Sequence, residues 1–373
     1  MTDPRTTALH ARHQALGALF TDFGGWLMPV RYSSDLAEHH AVRQAAGLFD
    51  ISHMAEIAVT GPDAGRFLDH ALAGRLSALA DDQAKYSLVL TEHGGIVDDV
   101  IVYRRDAADL LVVANAGNRD AVVAALGERS AGFEVSVEDL TERIALLAVQ
   151  GPRAQRVVAD VDGLDVGTAP LEDLGYYRWR HGSFAHDGRR VPLDIARTGY
   201  TGEDGFELYI DVDAAGALWD ALLSAGDPHG LVPAGLAARD TLRLEAGMPL
   251  YGHELGRDIR PAQAGLGRVV AMGKDDFVGK TALAAPAEPD RRVLVGLAGA
   301  GRRAGRAGYA VLAGEETVGE VTSGALSPTL GHPIAMAFVD PAHAEPGTEL
   351  ALDVRGTRIP ATVTTLPFHR RNR

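Results

Sequence analysis

The chain has 373 residues, of which 46% are hydrophobic and 23% charged, a balance typical of a globular protein with a large apolar core. A length of this kind predicts two or three domains. The net charge of −14 disfavours a nucleic-acid partner, because such proteins usually present a basic face. The absence of cysteine excludes disulfides, zinc thiolate sites, iron–sulfur clusters and thiol nucleophiles.

The start of the chain, Met1-Thr2-Asp3-Pro4-Arg5, lacks the apolar core of a signal peptide. The sequence also contains no uninterrupted run of about 18 apolar residues, so it predicts no membrane span. We therefore expect a cytoplasmic enzyme without a membrane partner. The net negative charge indicates little else about function, because a need for solubility explains it equally well.

The first part of the chain predicts helices that alternate with short strands. In chain order we expect a helix over 8–20, a turn and strand over 23–30, a helix over 35–46 capped by Gly47, a loop over 49–54, a strand over 55–59, and a helix from Gly61-Pro62 to about residue 72. The pairs His10/His13 and His39/His40 have no cysteine or acidic residue at fixed spacing. We interpret them as histidines on helix surfaces and predict no metal site.

Three apolar runs over 86–90, 97–103 and 110–114 predict an antiparallel meander. If Tyr103 lies opposite Leu110, Asp99 lies opposite about Ala114 and diagonal to Asn115. Asp99 and Asn115 would then line one edge of a pocket. A register shift of one residue would undo this geometry.

Two adjacent carboxylates, Asp98 and Asp99, lie at the start of the middle strand of this meander, which Gly94-Gly95 opens. Successive side chains of a strand point to opposite faces, so both cannot face solvent if the strand is covered on both sides. A buried carboxylate is costly unless it is hydrogen-bonded or paired, which makes one of them a candidate ligand for a nitrogen-rich substrate. The alternative is the end of a hairpin whose two acids are simply hydrated.

The second half of the chain predicts one more mixed region and then a change of pattern. We expect a helix over 118–126, a strand over 144–150, a helix opened by Gly151-Pro152, a Gly-rich hairpin over 195–210, helices over 214–225 and 234–247, a linker over 284–292, and short strands from Val293 onward. Gly-Pro after a strand thus occurs twice, which suggests two similar halves. The glycines every eight to twelve residues after Val293 are typical of a β-barrel or sandwich. We place the domain boundary between 1–283 and 284–373.

The hairpin over 195–210 and the helix after it carry candidate binding residues. Tyr200 offers a flat face for a heterocycle, and Glu207 can accept two hydrogen bonds from an amino-pyrimidine edge. The alternative is a turn with a hydrated acidic tip. Arg239 can clamp a carboxylate, or it can form a salt bridge to Asp240 or Glu245.

Seven segments of this chain, which together span most of its length, form a recognisable series. They are Phe23-Gly24-Gly25-Trp26-x-Met28-Pro29, Glu38-His39-x-Ala41-Val42-Arg43, Phe49-Asp50-Ile51-Ser52-His53-Met54, Gly94-Gly95-x-x-Asp98-Asp99, Gly199-Tyr200-Thr201-Gly202-Glu203-Asp204-Gly205-x-Glu207, Ala238-Arg239-Asp240-Thr241-Leu242-Arg243-Leu244-Glu245-Ala246-Gly247 and Thr322-Ser323-Gly324-x-x-Ser327-Pro328-Thr329-Leu330. In type and order, this set resembles the T-protein family of the glycine cleavage system, the folate-binding aminomethyltransferases.

The resemblance implies an α+β fold of three domains in a clover arrangement, with two folate-binding lobes within 1–283 and a C-terminal β-barrel over 284–373. It also implies the reaction. The methylene of an aminomethyl group on the lipoyl arm of the H protein passes to tetrahydrofolate, ammonia is released, and 5,10-methylenetetrahydrofolate forms. Tetrahydrofolate is then a co-substrate and the lipoylated H protein a partner, and the family needs neither a metal nor pyridoxal phosphate.

The resemblance also assigns residues. It makes Asp99 the catalytic carboxylate, placed against the folate nitrogens, and it places further folate contacts at Met54, Tyr86, Val113, Asn115, Tyr200, Glu207 and Arg239. The family commonly has a tryptophan where this chain has Arg268-Val269-Val270, so one pocket wall is expected to be less aromatic.

Two other functions within the same superfamily remain as alternatives. One is a folate-dependent demethylase of a methylated amine or sulfonium compound; the motif at 322–330 and the lack of an attached oxidoreductase domain favour the aminomethyltransferase. The other is a non-catalytic folate-binding protein that assists iron–sulfur assembly. That branch resembles this chain less, because its Lys-Gly-Cys signature requires a cysteine.

Overall fold

The computed structural model describes residues 4–167, 169–285 and 291–371. Within these ranges the chain forms two compact units, each assembled from separate stretches of sequence. The first unit contains Met1–Ala71, Arg75–Tyr86 and Val100–Arg239, and the second contains Leu72–Gly74, Ser87–Asp99 and Asp240–Arg373.

The described residues include α-helices and β-strands in both units. The helices are α1 His10–Ala15, α2 Asp35–Gln44, α3 Ala64–Ala71, α4 Arg119–Arg129, α5 Ala154–Ala159, α6 Ala215–Gly226, α7 Leu236–Glu245 and α8 Lys280–Ala284. The strands are β1 Leu19–Phe23, β2 Trp26–Arg31, β3 Ala46–Asp50, β4 Ala55–Thr60, β5 Ala84–Leu90, β6 Ile96–Arg104, β7 Asp109–Ala114, β8 Ser136–Asp139, β9 Ile144–Gln150, β10 Leu164–Asp165, β11 Trp179–His186, β12 Arg189–Ala196, β13 Gly205–Asp211, β14 Leu231–Pro233, β15 Val293–Gly299, β16 Ala310–Ala313, β17 Glu316–Leu326, β18 Pro333–Val339, β19 Glu349–Val354 and β20 Thr357–Thr364. Among the described residues, no helix has the combined length and apolar character needed to cross a membrane.

A seven-stranded sheet in the order β10-β11-β12-β13-β9-β3-β14 organises the first unit. Its strands pair antiparallel except β3 and β14, which are parallel. The nearly continuous apolar run of β9 suits a strand covered on both faces, and its residues after Ile144 are buried. Trp219 and Leu218 of α6 pack with Leu147 and Phe206 in the core of this unit. The predicted hairpin over 195–210 is confirmed, because β12 and β13 pair antiparallel around it.

A five-stranded sheet in the order β5-β6-β7-β4-β8 contains the predicted meander. The predicted register is wrong by one residue, because Tyr103 pairs with Leu111 instead of Leu110. The reason lies in the turn, where the N–H groups of Arg105 and Asp106 both bind the carbonyl of Asp109 at 2.9 and 3.1 Å. This closure shifts β7 along β6 and removes the pairing from which Asp99 was placed opposite Ala114.

The N-terminal helix is shorter than predicted, because α1 ends at Ala15 and residues 19–23 form β1. Gly24 and Gly25 follow with φ values of +60° and +83°. Two consecutive residues with positive φ form the two-residue turn that matches strand twist, so β1 pairs with β2 in a hairpin. The double glycine was the signal for this hairpin.

Two further expectations for this region are wrong. Helix α2 ends at Gln44, and Gly47 lies inside β3 instead of capping the helix. His13 and His39 are buried and do not lie on a helix surface, because tertiary packing covers the faces of α1 and α2 that carry them.

The repeated Gly-Pro motif does mark similar local structure. Gly61 and Gly151 end β4 and β9 with φ values of +130° and +134°. In both places the glycine carbonyl accepts a bond from an alanine N–H, at 3.1 Å from Ala64 and 3.0 Å from Ala154, where the helix begins. The two helices therefore leave their strands through the same turn.

The predicted β-structure after Val293 is a closed barrel in the second unit, in the order β15-β18-β17-β16-β19-β20. Its interior is filled by alternating small and branched apolar side chains, including Leu297, Val321 and Ala337. The α+β fold class with a C-terminal barrel is thus confirmed. Residues 286–290 of the predicted linker lie outside the described residues, and the boundary between 283 and 284 stays a prediction.

Gly95 is a position where the second unit tolerates no side chain. A Cβ there would lie 1.6 Å from the carbonyl oxygen of Arg257. We expect Gly95→Ala to destabilise the protein by about 3 kcal/mol, since backbone must move to relieve the overlap. Urea unfolding measures the change. Gly127→Ala in α4, where a Cβ meets nothing within 4 Å, is the control and should stabilise by about 0.5 to 1 kcal/mol. Equal unfolding midpoints for the two variants would contradict this account.

Candidate functional site

The first unit holds a buried carboxylate at the start of β13. Glu207 is 7% exposed, and its Oε2 accepts hydrogen bonds from Thr198 Oγ1 at 2.5 Å and from the Tyr103 hydroxyl at 3.2 Å. Tyr209 in turn donates its hydroxyl proton to Tyr103 at 3.0 Å. We call these four residues the Glu207 cluster. The alternative of a hydrated acidic tip is wrong, because Glu207 lies inside the sheet and not at the hairpin tip.

The Glu207 cluster combines one acid with three hydroxyl groups that donate toward it. Burial raises the pKa of Glu207, whereas the hydrogen bond from Thr198 and the positive charge of Arg239 act in the opposite direction. Burial also raises the pKa values of Tyr103 and Tyr209 well above their ordinary value, so both remain hydrogen-bond donors at neutral pH. Thr198, Tyr103 and Tyr209 therefore all keep the protons that they donate toward the carboxyl group.

Arg239 lies on α7 with its guanidinium over the ring of Tyr200, 4.7 Å from the ring centroid. Burial lowers the pKa of Arg239, while Glu207 and Tyr200 favour its charged form. The salt bridges that were the alternative for Arg239 do not form. Asp240 instead pairs with Arg243 at 2.7 Å, and Glu245 accepts the hydroxyl of Thr329 at 2.7 Å. The arginine is thus held over an aromatic face with its charge beside Glu207.

His53 lies in the short connection between β3 and β4 and is 1% exposed. The N–H of Ser52 binds Asp50 at 2.9 Å and the N–H of Met54 binds the carbonyl of Ile51 at 3.0 Å, so the connection is rigidly closed. The ring of His53 meets the ring of Phe23 edge to face at 5.6 Å. Its Nδ1 is buried and has no hydrogen-bond partner among the described residues.

The charge state of His53 follows from its surroundings. Burial and the positive charge of Arg239 lower its pKa to about 4, and the negative charge of Asp50 acts the other way. At neutral pH the ring is therefore uncharged beside Arg239. A neutral imidazole in this place avoids a second positive charge in the site.

The other predicted site residues of the first unit lie within or next to the strands β4, β5 and β7. Val113, 6% exposed, is near the end of β7 and pairs with Glu56 of β4. Asn115 follows β7 and is partly exposed, as are Met54 before β4 and Tyr86 within β5. The structure thus places all four residues within the first unit.

Asp98 and Asp99 belong to the second unit, at the start of β6. Asp98 is fully buried and Asp99 is partly exposed, so the alternative of two hydrated acids is wrong for Asp98. Burial raises the pKa of Tyr251, and the charges of Asp98 and, less strongly, Asp99 add to this effect. These two carboxylates therefore act on a tyrosine of their own unit.

Sequence reasoning missed Thr198, Tyr103, Tyr209 and His53. His53 lies inside the motif 49–54 and Thr198 directly precedes the motif 199–207, but nothing in a motif tells which member binds which partner. Tyr103 and Tyr209 look like ordinary strand residues. Each tyrosine lies at a buried position of its strand, β6 or β13. A tyrosine hydroxyl on a buried face usually has a hydrogen-bond partner, and this was the available signal.

Comparison with known proteins gives a consistent result over nearly the whole chain. Residues 9–274 match the family model described as GCVT N-terminal domain, and residues 292–369 match the glycine cleavage T-protein C-terminal barrel domain. The chain is 57% identical over 376 residues to an aminomethyltransferase of Cutibacterium acnes and 55% identical over 375 residues to one of Saccharopolyspora erythraea, with 100% of each chain covered. It is also similar to the crystal structure of a glycine cleavage system aminomethyltransferase from Bartonella henselae, with a TM-score of 0.88, 39% identity and 98% of each chain covered.

The depressed pKa of His53 predicts a specific loss of stability in acid. The unfolded chain binds a proton at His53 below about pH 6.5, whereas the folded chain resists it down to about pH 4. The contribution of His53 to the free energy of unfolding is therefore fully present above pH 6.5. It decreases as the pH falls, by about 3 kcal/mol near pH 4. The measurement is the free energy of unfolding against pH for wild type and His53→Gln. We expect a shallower acid loss in the variant, and the exposed His93→Gln should keep the wild-type slope. Parallel curves for wild type and His53→Gln would refute the assignment.

Proposed function

We propose a reaction and a binding site for this chain on one premise: it belongs to the glycine cleavage T-protein family and is an aminomethyltransferase. The proposed reaction transfers the methylene of an aminomethyl group, carried on the lipoyl arm of the H protein, to tetrahydrofolate. Ammonia, 5,10-methylenetetrahydrofolate and the H protein with its arm in the dihydrolipoyl form are the products. The resemblance of the sequence motifs and the full-length identity to aminomethyltransferases support this reaction.

The observation that carries the proposed folate site is the Glu207 cluster beside Arg239 and Tyr200. The hydrogen bonds from Tyr103 and Thr198 both fall on Oε2 of Glu207, so Oε1 is the oxygen proposed to accept N–H groups of the pterin. The ring of Tyr200 offers a stacking face, and Arg239 already lies over that ring at 4.7 Å. An acid acceptor, an aromatic face and a cation match a flat, amino-substituted heterocycle that carries a carbonyl group.

The remaining contacts are proposed from family position. Met54, Tyr86, Val113 and Asn115 would line the same pocket. Val113 is buried in β7, while the other three keep part of their surface exposed. These residues bring apolar contact and one side-chain amide, which suits the edge of a pterin that is not bound by Glu207.

Asp99 is proposed as the catalytic carboxylate. As ammonia leaves, positive charge develops at the transferred carbon, and a fixed carboxylate near that carbon stabilises the charge. The same carboxylate can orient the attacking amine or take its proton. Asp99 is partly exposed, whereas Asp98 beside it is fully buried, so Asp99 is the acid that a substrate can reach. We expect the rest of the rate acceleration to come from holding the aminomethylated lipoyl arm and tetrahydrofolate in line for the transfer.

Ammonia release tests the proposed reaction directly. Chemically aminomethylated H protein is incubated with the protein, with and without tetrahydrofolate. We expect tetrahydrofolate to accelerate ammonia release strongly and methylenetetrahydrofolate to form in equal amount. If tetrahydrofolate binds without changing ammonia release, the donor is wrong, and methylated amines and sulfonium compounds are the next substrates to test.

The role of Asp99 predicts a separation between turnover and binding. Asp99→Asn should lower kcat at least about 100-fold, the usual range for a positioned proton acceptor or charge stabiliser. Binding of tetrahydrofolate should change little, because the amide keeps the shape and polarity of the carboxyl group. Asp276→Asn, an exposed acid of the same unit, is the control and should behave as wild type. Near-normal turnover in Asp99→Asn would exclude this role.

The role of Glu207 predicts the opposite pattern. Glu207→Gln should raise the KM for tetrahydrofolate about 10- to 100-fold, the loss expected for hydrogen bonds to a buried charged acceptor. The effect on kcat at saturating tetrahydrofolate should be smaller. Exposed Glu172→Gln in the same unit is the matched control. A variant with unchanged KM but reduced kcat would assign Glu207 to the chemical step instead.

A further inference from the structure

The loop between β12 and β13, residues 197–204, carries two groups of the proposed pterin site. Thr198 donates its hydroxyl proton to Oε2 of Glu207 at 2.5 Å, and the guanidinium of Arg239 lies 4.7 Å from the ring centroid of Tyr200. A loop lacks the ladder of backbone hydrogen bonds that fixes a strand, so the positions of both groups depend on what holds the loop. We call this segment the Thr198 loop.

One buried side chain from another strand binds the Thr198 loop on both sides of Tyr200. Gln150, the last residue of β9, is 1% exposed. Its Nε2 donates to the carbonyl of Thr198 at 3.0 Å, and its Oε1 accepts the hydroxyl of Thr201 at 2.9 Å. Gly199 and Tyr200 lie between these two contacts. The amide of Gln150 therefore fixes the backbone before the aromatic residue and the side chain that follows it.

The two partners of Gln150 determine which way round its amide lies. The carbonyl of Thr198 can only accept a hydrogen bond, so the amide nitrogen must face it. The amide oxygen then faces the hydroxyl of Thr201, which donates to it and accepts the N–H of Glu203 at 3.3 Å. The site thus requires a donor and an acceptor on one side chain. Glutamine supplies both, whereas a carboxylate or an apolar side chain of similar length does not.

Two glycines of the motif 199–207 make room for this amide. Gln150 pairs with Gly205 in the sheet, and a Cβ at Gly205 would lie 2.3 Å from Nε2 of Gln150. A Cβ at Gly199 would lie 2.0 Å from Oε1 of the same side chain. Neither glycine adopts the left-handed φ region, so the backbone conformation itself does not demand glycine. The close approach of Gln150 therefore explains both glycines.

The tip of the Thr198 loop is attached independently of Gln150. Arg43 of α2 binds the carbonyl of Thr201 at 2.7 Å and the carboxylate of Glu203 at 2.8 Å. These contacts do not involve the amide of Gln150, so we expect the loop to stay attached to α2 when that amide is removed. The carbonyl of Thr198 would then lose the hydrogen bond from Nε2, and the hydroxyl of Thr198 would lose its fixed position.

We propose that Gln150 is a positioning residue for folate binding: its amide holds Thr198 so that the Thr198 hydroxyl stays on Oε2 of Glu207. Oε1 of the same carboxylate is then directed to the pterin. Gln150 acts through Thr198 and not by contact with the ligand, in keeping with its burial. This inference rests on the proposed folate role of Glu207, because the carboxylate must bind the pterin for its orientation to affect affinity.

A double-mutant cycle separates this role from a purely structural one. The KM for tetrahydrofolate and kcat are measured on the whole protein for wild type, Gln150→Met, Thr198→Val and the double variant. We expect Gln150→Met to raise the KM about tenfold, as for a misplaced hydrogen bond to a charged group, and to change kcat at saturating tetrahydrofolate less than about threefold. In the Thr198→Val background the same change should raise the KM less than about threefold, because the hydroxyl that Gln150 positions is absent.

The matched control is Gln14→Met, at an exposed glutamine of α1 in the same unit, which should keep the wild-type KM. An unchanged KM in Gln150→Met, or an equal rise in both backgrounds, would overturn the proposal. Should Gln150→Met fail to fold, Gln150→Asn replaces it at every step, because its amide is one methylene shorter and does not reach both Thr198 and Thr201. A wild type that does not use tetrahydrofolate would overturn the proposed function instead.

Discussion

The first unit is organised around one constraint, the need to satisfy a buried carboxylate. Glu207 comes from β13, Thr198 from the loop after β12 and Tyr103 from β6, so its hydrogen bonds join residues of two different sheets. An unpaired carboxylate in this place would cost several kcal/mol, and its hydroxyl partners act only when both sheets are correctly packed. The loop that supplies Thr198 also supplies Tyr200, so satisfying Glu207 fixes the aromatic face on which Arg239 rests. The binding geometry is therefore a consequence of the packing.

The second unit depends on a comparable arrangement at the other end of α7. Arg243 is 2% exposed and binds Glu254 at 3.1 Å and Ser323 of β17 at 2.7 Å. Glu245 accepts the N–H of Thr329 at 3.0 Å beyond the same strand. Two sequence motifs, 238–247 and 322–330, are thus held together by buried polar contacts.

Strong periodic patterns were sufficient to predict much of this fold. The apolar run of β9, the hairpin of β12 and β13 and the glycine-punctuated barrel each carry a strong local sequence pattern, which is sufficient to predict them. The predicted register of β6 and β7 was wrong because the turn between them closes on the carbonyl of Asp109. His13 is buried because it binds Asp50, 37 residues away, at 2.8 Å. Sequence motifs likewise named Glu207 and Arg239, yet not Thr198 or Tyr103, whose roles arise only when distant strands meet.

The distribution of unsatisfied polar groups is itself informative. Buried polar atoms nearly always find partners, because leaving one unpaired costs about 1 to 3 kcal/mol. Within the described part of the chain, His53 and Glu56 both depart from this rule, and they lie three residues apart, at the entry to β4. Burial and the positive charge of Arg239 lower the pKa of His53, and burial raises the pKa of Glu56. Because burial favours the uncharged forms of both side chains, this segment adds no further full charge to the core of the unit that already holds Glu207 and Arg239.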